Sequence, residues 1–342
     1  MTTRDDTVWH GGTERKAERA HAFLRSPLAT SALQAIAAIA LIYYVASKSL
    51  SIGDRSLLVL LNGLTAASLY FLMASGFTLI FGLVRVTNLA HGGVYLVGGY
   101  VALSTQRSTG NWVLAAVSGA LFAAAVSVIL YLILRRLRGD GLRETMLTLG
   151  FAIVIADQTL ARWGGTPSDL DPPSFLDGSI DLPGSTLLYP KFRLAVVALA
   201  LLAGLVLWLL LYRTRLGMTI RAGVDDQDMV SVLGIRVEVV FCSTFVLAGM
   251  LAGLAGAAGG TYLSLAQGED NRILLASLIV VIAGGLGSIG GAAAAAVLVG
   301  LVEAFAQTHH PIFSVLITFG TLIAILVLRP HGLLGGPNAG QK

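Results

Sequence analysis

Long stretches without a charged residue constrain this chain more than any other feature of its sequence. Eight such stretches, each of at least 19 residues, follow one another: Ser26–Ser47, Ser56–Val84, Val86–Gln106, Ser108–Leu134, Leu194–Tyr212, Val239–Gly268, Ile273–Val302 and Ala304–Leu328. About 20 helical residues cross a hydrocarbon layer of about 30 Å, so each stretch is close to or above the length that spans a bilayer. Only 12% of the residues are charged, too few to cover a soluble protein of this size. The sequence therefore predicts an all-α polytopic membrane protein.

Several classes of chemistry are excluded because their residues are missing from the sequence. The single cysteine, Cys242, permits neither a disulfide nor a cysteine-based metal site. The spacings of metalloproteases and of serine hydrolases are absent as well. No lysine follows a glycine, so the chain has no P-loop for nucleotide phosphates. We expect no enzyme, no metal and no cofactor; if ATP drives this protein, another polypeptide must bind it.

The lysine and arginine residues predict how the chain lies in the membrane. If the N-terminus is cytoplasmic, 16 of them fall in cytoplasmic segments and 7 in external ones. Short cytoplasmic loops of membrane proteins carry an excess of positive charge, so this orientation is favoured over its inverse. We therefore expect a cytoplasmic tail over 1–27, a cytoplasmic C-terminal tail over 329–342 and an irregular external loop over 164–190.

Ten membrane spans follow from the apolar stretches and the charged loops between them. We place them at 28–47, 56–82, 92–106, 112–134, 145–163, 191–212, 239–263, 273–286, 290–306 and 312–328. Segment 28–50 then forms a first transmembrane helix, and 56–328 forms the main membrane domain with a cytoplasmic loop over 213–238.

Two of the ten spans are short and adjoin glycine-rich segments. The span 92–106 opens on such a segment, and 273–286 ends in one. Broken helices at membrane depth are tolerated only where they line a cavity or are buried in protein. The polar and glycine residues of these breaks are candidates to line a translocation path: Asn88, His91, Gly92, Gly284, Gly285 and Gly287. Tight turns, and a histidine bonded to a backbone carbonyl, are the structural alternatives.

Two acidic residues, Asp157 and Glu303, fall inside otherwise apolar spans. A charge in the membrane costs about 2.5–3.5 kcal/mol on insertion scales, so such residues are often functional. The alternative is that both lie near helix ends and reach interfacial water or an arginine such as Arg162.

Glycines recur every fourth residue along one span, at Gly249 and Gly253 and again at Gly256 and Gly260. Such spacing lets the backbones of two membrane helices approach closely. We interpret these glycines as helix-packing residues.

The loop 213–238 contains a predicted short helix over residues 224–234. Asp225 or a neighbour can cap its start, and Gly234 can end it. Met229 and Leu233 lie on one apolar face with Val232. That apolar face is expected to be buried against the lipid interface, against the protein's own helical bundle or in a groove on a partner protein.

Motifs spread over about residues 61–335 give the chain a family resemblance. In order, they are Asn62–Leu64, Ser75–Gly82, Asn88–Gly92, Thr214–Met218, Arg221-Ala222 with Asp226, Leu233–Ile235, Gly284–Ile289, Gly300 with Glu303-Ala304, and Arg329–Leu333. Together they resemble the permease subunits of ABC importers for branched-chain amino acids, the LivH/LivM type. Gly93 stands where that family commonly has an acidic residue, and Gly290 stands where it commonly has a proline.

The resemblance implies a permease in a bacterial inner membrane with three kinds of partner. These are a sister permease in a homo- or heterodimer, two cytoplasmic ABC ATPases and an extracytoplasmic solute-binding protein. It also implies that the cytoplasmic loop docks on the ATPase through a set of coupling residues: Arg221, Ala222, Asp225, Asp226, Met229, Leu233 and Gly234. The first 50 residues are an addition to the usual family start.

The sequence leaves alternatives open for the transported solute and for the class of transporter. Related permeases carry urea, short amides or small carboxylates. A stand-alone secondary transporter would require paired carboxylates or a proton relay within the membrane. A structural membrane scaffold would need neither glycine-broken spans nor a capped cytoplasmic helix.

Overall fold

A computed structural model describes residues 55–84, 86–137, 139–181, 188–225, 236–330 and 332–334. Within these ranges the chain forms ten α-helices: α1 (Arg55–Val84), α2 (His91–Thr109), α3 (Trp112–Leu134), α4 (Gly141–Trp163), α5 (Lys191–Arg213), α6 (Arg215–Asp225), α7 (Val237–Tyr262), α8 (Glu269–Gly284), α9 (Ile289–His309) and α10 (Ser314–Leu328). One antiparallel hairpin joins β1 (Ser179–Asp181) to β2 (Leu188–Pro190). Single 3-10 turns occupy Ser174–Leu176 and Pro311–Phe313.

The predicted spans that fall on described residues correspond to these helices. Seven helices of the described ranges are long and apolar enough to cross a membrane, so the all-α polytopic prediction is confirmed. The predicted short spans correspond to α2, which is polar in its last turn, and to α8, which has 16 residues. The predicted tail 1–27, the helix 28–50 and most of the tail 329–342 lie outside the described residues.

The glycine pairs of α7 hold the centre of the bundle together. A Cβ atom on Gly253 would lie 2.6 Å from the Gly119 carbonyl oxygen of α3, and one on Gly249 would lie 2.8 Å from that of Ala123. On the adjoining face, Gly256 packs on the backbone of α2. Because only a hydrogen fits at these contacts, the backbones approach closely, which confirms the packing role of these glycines.

Helices α4, α5 and α10 form the outer surface of the described bundle. Large apolar side chains remain exposed along them, among them Ile153, Leu201, Leu202, Val315 and Val327. In water such a surface would be unfavourable, but lipid tails cover it at no such cost.

The loop between α4 and α5 marks one end of the bundle. The Tyr189 hydroxyl donates to the Leu61 carbonyl oxygen at 2.9 Å, and the Leu170 amide donates to the Gly260 carbonyl oxygen at 3.0 Å. This loop therefore lies where α1 and α5 begin and α7 ends, which we call the loop end. The opposite end holds α6, which packs on Leu83 through Gly223, and the connection from α8 to α9; we call it the turn end.

Candidate functional site

The predicted path residues at the first break are buried in the bundle. His91 is fully buried, and its Nε2 donates to the Met73 carbonyl oxygen at 3.2 Å. Its Nδ1 has no hydrogen-bond partner among the described residues. Met73 precedes the end of α1 by eleven residues, so α2 begins about 16 Å inside the bundle along the α1 axis. The first break therefore lies inside the bundle, away from the end of α1.

The side chains around this break are packed rather than arranged around an open cavity. Asn88 is buried, and its Oδ1 accepts from the Ala90 amide at 3.1 Å. A Cβ atom on Gly92 would lie 2.5 Å from the Asp270 carbonyl oxygen of α8. In this conformation Asn88, His91 and Gly92 fix α2 against its neighbours.

The second break is a tight turn at the turn end. Gly285 and Gly287 adopt positive φ angles of 102° and 83°, which glycine reaches without a steric penalty. The Ser288 side chain then caps α9 by accepting from the Gly291 amide at 3.0 Å. Gly82 of α1 contacts this turn, since a Cβ atom there would lie 2.9 Å from Gly287 Cα.

The segment after α10 covers the end of α8. The Leu333 amide donates to the Ala283 carbonyl oxygen at 2.8 Å, and the Leu334 amide donates to that of Gly284 at 3.1 Å. These bonds satisfy carbonyl groups that the end of a helix leaves without intrahelical partners.

An apolar groove connects one predicted path residue with one predicted coupling residue. The groove has a volume of 810 Å³ and runs between α1, α5 and α9. Gly287 and Arg221 both line it near the turn end. The Arg221 guanidinium lies 4.5 Å from the centre of the Tyr212 ring.

The other predicted coupling residues divide between α6 and the undescribed part of the loop. Ala222 is exposed on α6. The predicted helix start at 224 is wrong, because Asp225, expected to cap that start, is instead the last described residue of α6, which begins at Arg215. The remaining residues of the predicted helix lie outside the described residues: Asp226, Met229, Leu233 and Gly234.

A second cavity, which we call the polar cavity, lies at the loop end and has a volume of 390 Å³. Five helices contribute to it, because α1, α5, α7, α8 and α9 all reach this end of the bundle. Its polar lining consists mainly of Asn62, Tyr70, Arg193, Tyr262, Arg272 and Glu303. Its apolar lining comprises Ala66, Leu69, Leu263 and Ala304.

Arg193 and Glu303 are bonded only to neutral groups where the structure describes the chain. The Arg193 Nη1 donates to Asn62 Oδ1 at 2.6 Å, and its guanidinium lies 5.1 Å from the centre of the Tyr262 ring. Glu303 accepts from the Tyr70 hydroxyl at 2.6 Å and from the Gln307 amide at 2.9 Å. In the described ranges neither charge has an oppositely charged partner within 4.0 Å.

Arg272 differs from Arg193 because it is already paired. Its Nη2 lies 2.8 Å from Glu269 Oε2, three residues earlier on α8. Among the described residues, the charges at the polar cavity are therefore a paired arginine, an unpaired arginine and an unpaired carboxylate.

The two intramembrane acidic residues have different surroundings. Glu303 faces the polar cavity, whereas Asp157 is exposed on α4 and makes no ion pair with Arg162 within 4.0 Å. The sequence singled out Glu303 but missed its neighbours Arg193 and Arg272. The sequence did contain a signal for both arginines, since each is a charged residue within the first four residues of a helix.

Known proteins similar to this chain are transport permeases. The family model described as "branched-chain amino acid transport system / permease component" matches residues 59–326. The high-affinity branched-chain amino acid transport permease BraD of Pseudomonas aeruginosa is 31% identical over 81% of this chain and 95% of its own length. The corresponding permeases LivH and LivM of Escherichia coli K12 are 27% and 26% identical, over 81% and 79% of this chain and 94% and 68% of their own lengths.

Proposed function

Because this chain belongs to the family of branched-chain amino acid transport permeases, we propose that it forms the translocation path of an ATP-driven importer for branched-chain amino acids. The family match over residues 59–326 carries this proposal, since those residues include nearly all of the membrane helices described above. The relatives described above are all named for branched-chain amino acids, which supports that substrate over urea, short amides or small carboxylates.

The proposed importer requires three kinds of partner. It has no P-loop, so separate ABC ATPases on the cytoplasmic side hydrolyse ATP. A sister permease or a second copy completes the membrane unit, and the two different permeases LivH and LivM of one organism support such pairing. An extracytoplasmic binding protein delivers the solute.

In the proposed orientation the loop end is extracytoplasmic and the turn end is cytoplasmic. The division of basic residues, 16 against 7, supports this direction. The polar cavity then lies where a solute arrives, and α6 lies on the side of the ATPase.

Coupling to the ATPase is assigned to α6 and the following segment 226–234. An amphipathic helix in this cytoplasmic loop would bury its apolar face, including Met229 and Leu233, in a groove of the ATPase. Arg221 and Ala222 support this placement because both are exposed on α6 at the turn end. Motion of α6 would reach the apolar groove directly, since Arg221 lines it together with Gly287.

The predicted path residues differ in whether they line an open space in the structure. Gly287 lines a groove in the conformation described, and Gly284 and Gly285 form the adjoining turn. Asn88, His91 and Gly92 become part of a path only if α2 moves relative to α8, because their present contacts are with packed neighbours.

A stand-alone secondary transporter has less support. That class needs carboxylates or proton-relay groups that act together within the membrane. Asp157 lies on the exposed face of α4 and Glu303 in the polar cavity, so these two carboxylates do not form one site.

Affinity purification from the native membrane tests the proposed assembly. The tagged chain is expected to recover ABC ATPase subunits and a permease in fixed proportion. Recovery of the chain without any ATPase, under mild detergent conditions that keep other ABC importers intact, would contradict the proposal.

A further inference from the structure

We propose that the polar cavity binds the charged head group of a zwitterionic α-amino acid, with Arg193 holding its carboxylate and Glu303 its ammonium group. This inference rests on the proposed function, because it names the solute chemistry within the same importer. It assigns a ligand to a cavity that lies apart from both glycine-rich breaks.

Two unpaired charges of opposite sign at one cavity are the first argument. Arg193 and Glu303 have no ion-pair partner within 4.0 Å in the described part of the chain, although both lie on membrane helices. Charged side chains within membrane helices are rare and often mark the path of a solute. A solute that carries one charge of each sign completes both at once.

The remaining hydrogen-bonding capacity of the two side chains is the second argument. A guanidinium has five N–H donors, and Arg193 uses Nη1 on Asn62. Glu303 accepts one neutral donor at each carboxylate oxygen, from Tyr70 and Gln307, and a carboxylate offers about four acceptor sites. Both groups can therefore bond a ligand without losing their present partners.

The size of the polar cavity suits a small solute, and its mainly polar lining suits the charged head group of that solute. A volume of 390 Å³ lies at the lower end of the range of small-molecule sites, about 300–1,000 Å³. Ala66, Leu69, Leu263 and Ala304 provide apolar wall beside the charged groups.

The cavity is accessible from the loop end. The Arg272 side chain is 42% exposed, and Gln307 and Thr308 are exposed at the same rim. Arg272 lies at this rim in an ion pair with Glu269.

Direct binding of radiolabelled leucine tests the inference. The complete permease–ATPase complex is placed in lipid nanodiscs without the solute-binding protein, and leucine binding is measured by scintillation proximity. Arg193→Gln and Glu303→Gln are each expected to weaken leucine binding about 10- to 100-fold, the usual effect of losing a charge-assisted hydrogen bond. Arg107→Gln and Asp169→Asn, which remove exposed charges of the loop end outside the polar cavity, should bind leucine as the wild type does.

Two leucine analogues separate ligand contact from a structural role. 4-Methylpentanoate lacks the ammonium group, and 3-methylbutylamine lacks the carboxylate. Glu303→Gln should lose most of the preference for leucine over 4-methylpentanoate but keep the preference for leucine over 3-methylbutylamine. Arg193→Gln should lose most of the preference for leucine over 3-methylbutylamine but keep the preference for leucine over 4-methylpentanoate. A variant that is merely misfolded would weaken all three ligands alike.

The outcomes distinguish failure of this inference from failure of the proposed function. If the wild-type importer transports leucine but does not bind it without the binding protein, or if both variants bind leucine normally, the inference is overturned and the proposed function stands. Normal leucine binding with lost affinity for the binding protein would assign the two charges to protein docking and would also overturn it. If the wild-type importer transports no amino acid, the proposed function itself fails.

Discussion

The Tyr70 hydroxyl donates a 2.6 Å hydrogen bond to the Glu303 carboxylate and joins α1 to α9 beside the polar cavity. Tyr70 is buried, whereas Glu303 faces the polar cavity, so this bond is partly shielded from water. Hydrogen bonds to charged groups contribute about 1.5–3 kcal/mol. Tyr70→Phe, which keeps the ring, is therefore expected to lower the free energy of unfolding of the permease by about that amount in a denaturant titration.

The control for this variant is Tyr212→Phe, because Tyr212 is exposed on α5 at the turn end. It should change stability by less than about 0.5 kcal/mol, as is usual for surface substitutions. Equal stability of the wild type and Tyr70→Phe would show that the bond contributes nothing to holding α1 against α9.

Close packing at Gly253 predicts that even one methyl group is harmful there. Its Cβ atom would lie 2.6 Å from the Gly119 carbonyl oxygen, a backbone atom that cannot move aside without shifting α3. Gly253→Ala should destabilise the permease by about 1–3 kcal/mol, the usual cost of overpacking. Thermal unfolding in detergent, followed by size-exclusion chromatography, measures the effect.

Gly150 offers a matched control on α4. No atom of the described chain lies within 4 Å of a Cβ atom built there. Gly150→Ala should therefore leave the midpoint unchanged or raise it, because alanine favours helix. Similar losses for the two variants would contradict the packing role of Gly253.

The orientation proposal predicts which side of the membrane each loop faces. With Cys242 replaced by alanine, a cysteine at the exposed Thr166 should react with an impermeant maleimide in intact cells. A cysteine at the exposed Arg215 should react only after the membrane is opened. The reverse pattern would place the loop end in the cytoplasm.

The coupling proposal predicts that one charge on the apolar face of the segment 226–234 uncouples the importer. Leu233→Asp or Met229→Asp should reduce co-purification of the ATPase, because truncating a buried interface anchor commonly costs about 2 kcal/mol or more. Asp225→Ala should have a smaller effect, because it removes a carboxylate at the end of α6 and not an apolar anchor. Normal ATPase recovery and normal solute-stimulated hydrolysis in both aspartate variants would place the coupling contact elsewhere.

The membrane helices could be predicted from the sequence because lipid leaves the backbone few choices. Each apolar stretch must satisfy its own hydrogen bonds, so charged residues mark where a helix can end. At the short helices glycines located the breaks, since α2 begins at His91 and α8 ends at Gly284 next to the predicted glycines. Charged residues did not mark the start of α8, because its first turn contains Glu269 and Asp270. The separate helix α6 was not predicted, because its residues 215–225 are only partly apolar.

The contacts of the candidate site could not be predicted, because they join distant helices. Arg193 and Glu303 belong to α5 and α9, and nothing in local periodicity brings them to one cavity. Likewise, the sequence marked Gly92 as unusual but could not show that the Asp270 carbonyl oxygen of α8 lies against it. Local patterns located the breaks, whereas tertiary packing decided which of them face a cavity.

Uptake of radiolabelled leucine into proteoliposomes tests the central proposal most directly. The vesicles contain this chain with its sister permease and ATPases, and the solute-binding protein is added outside. We expect leucine to accumulate against its gradient only when ATP is enclosed with the ATPase and the binding protein is present, and to continue after a protonophore removes any proton gradient. Uptake that requires a proton or sodium gradient but neither ATP nor the binding protein would contradict the assignment to an ATP-driven importer.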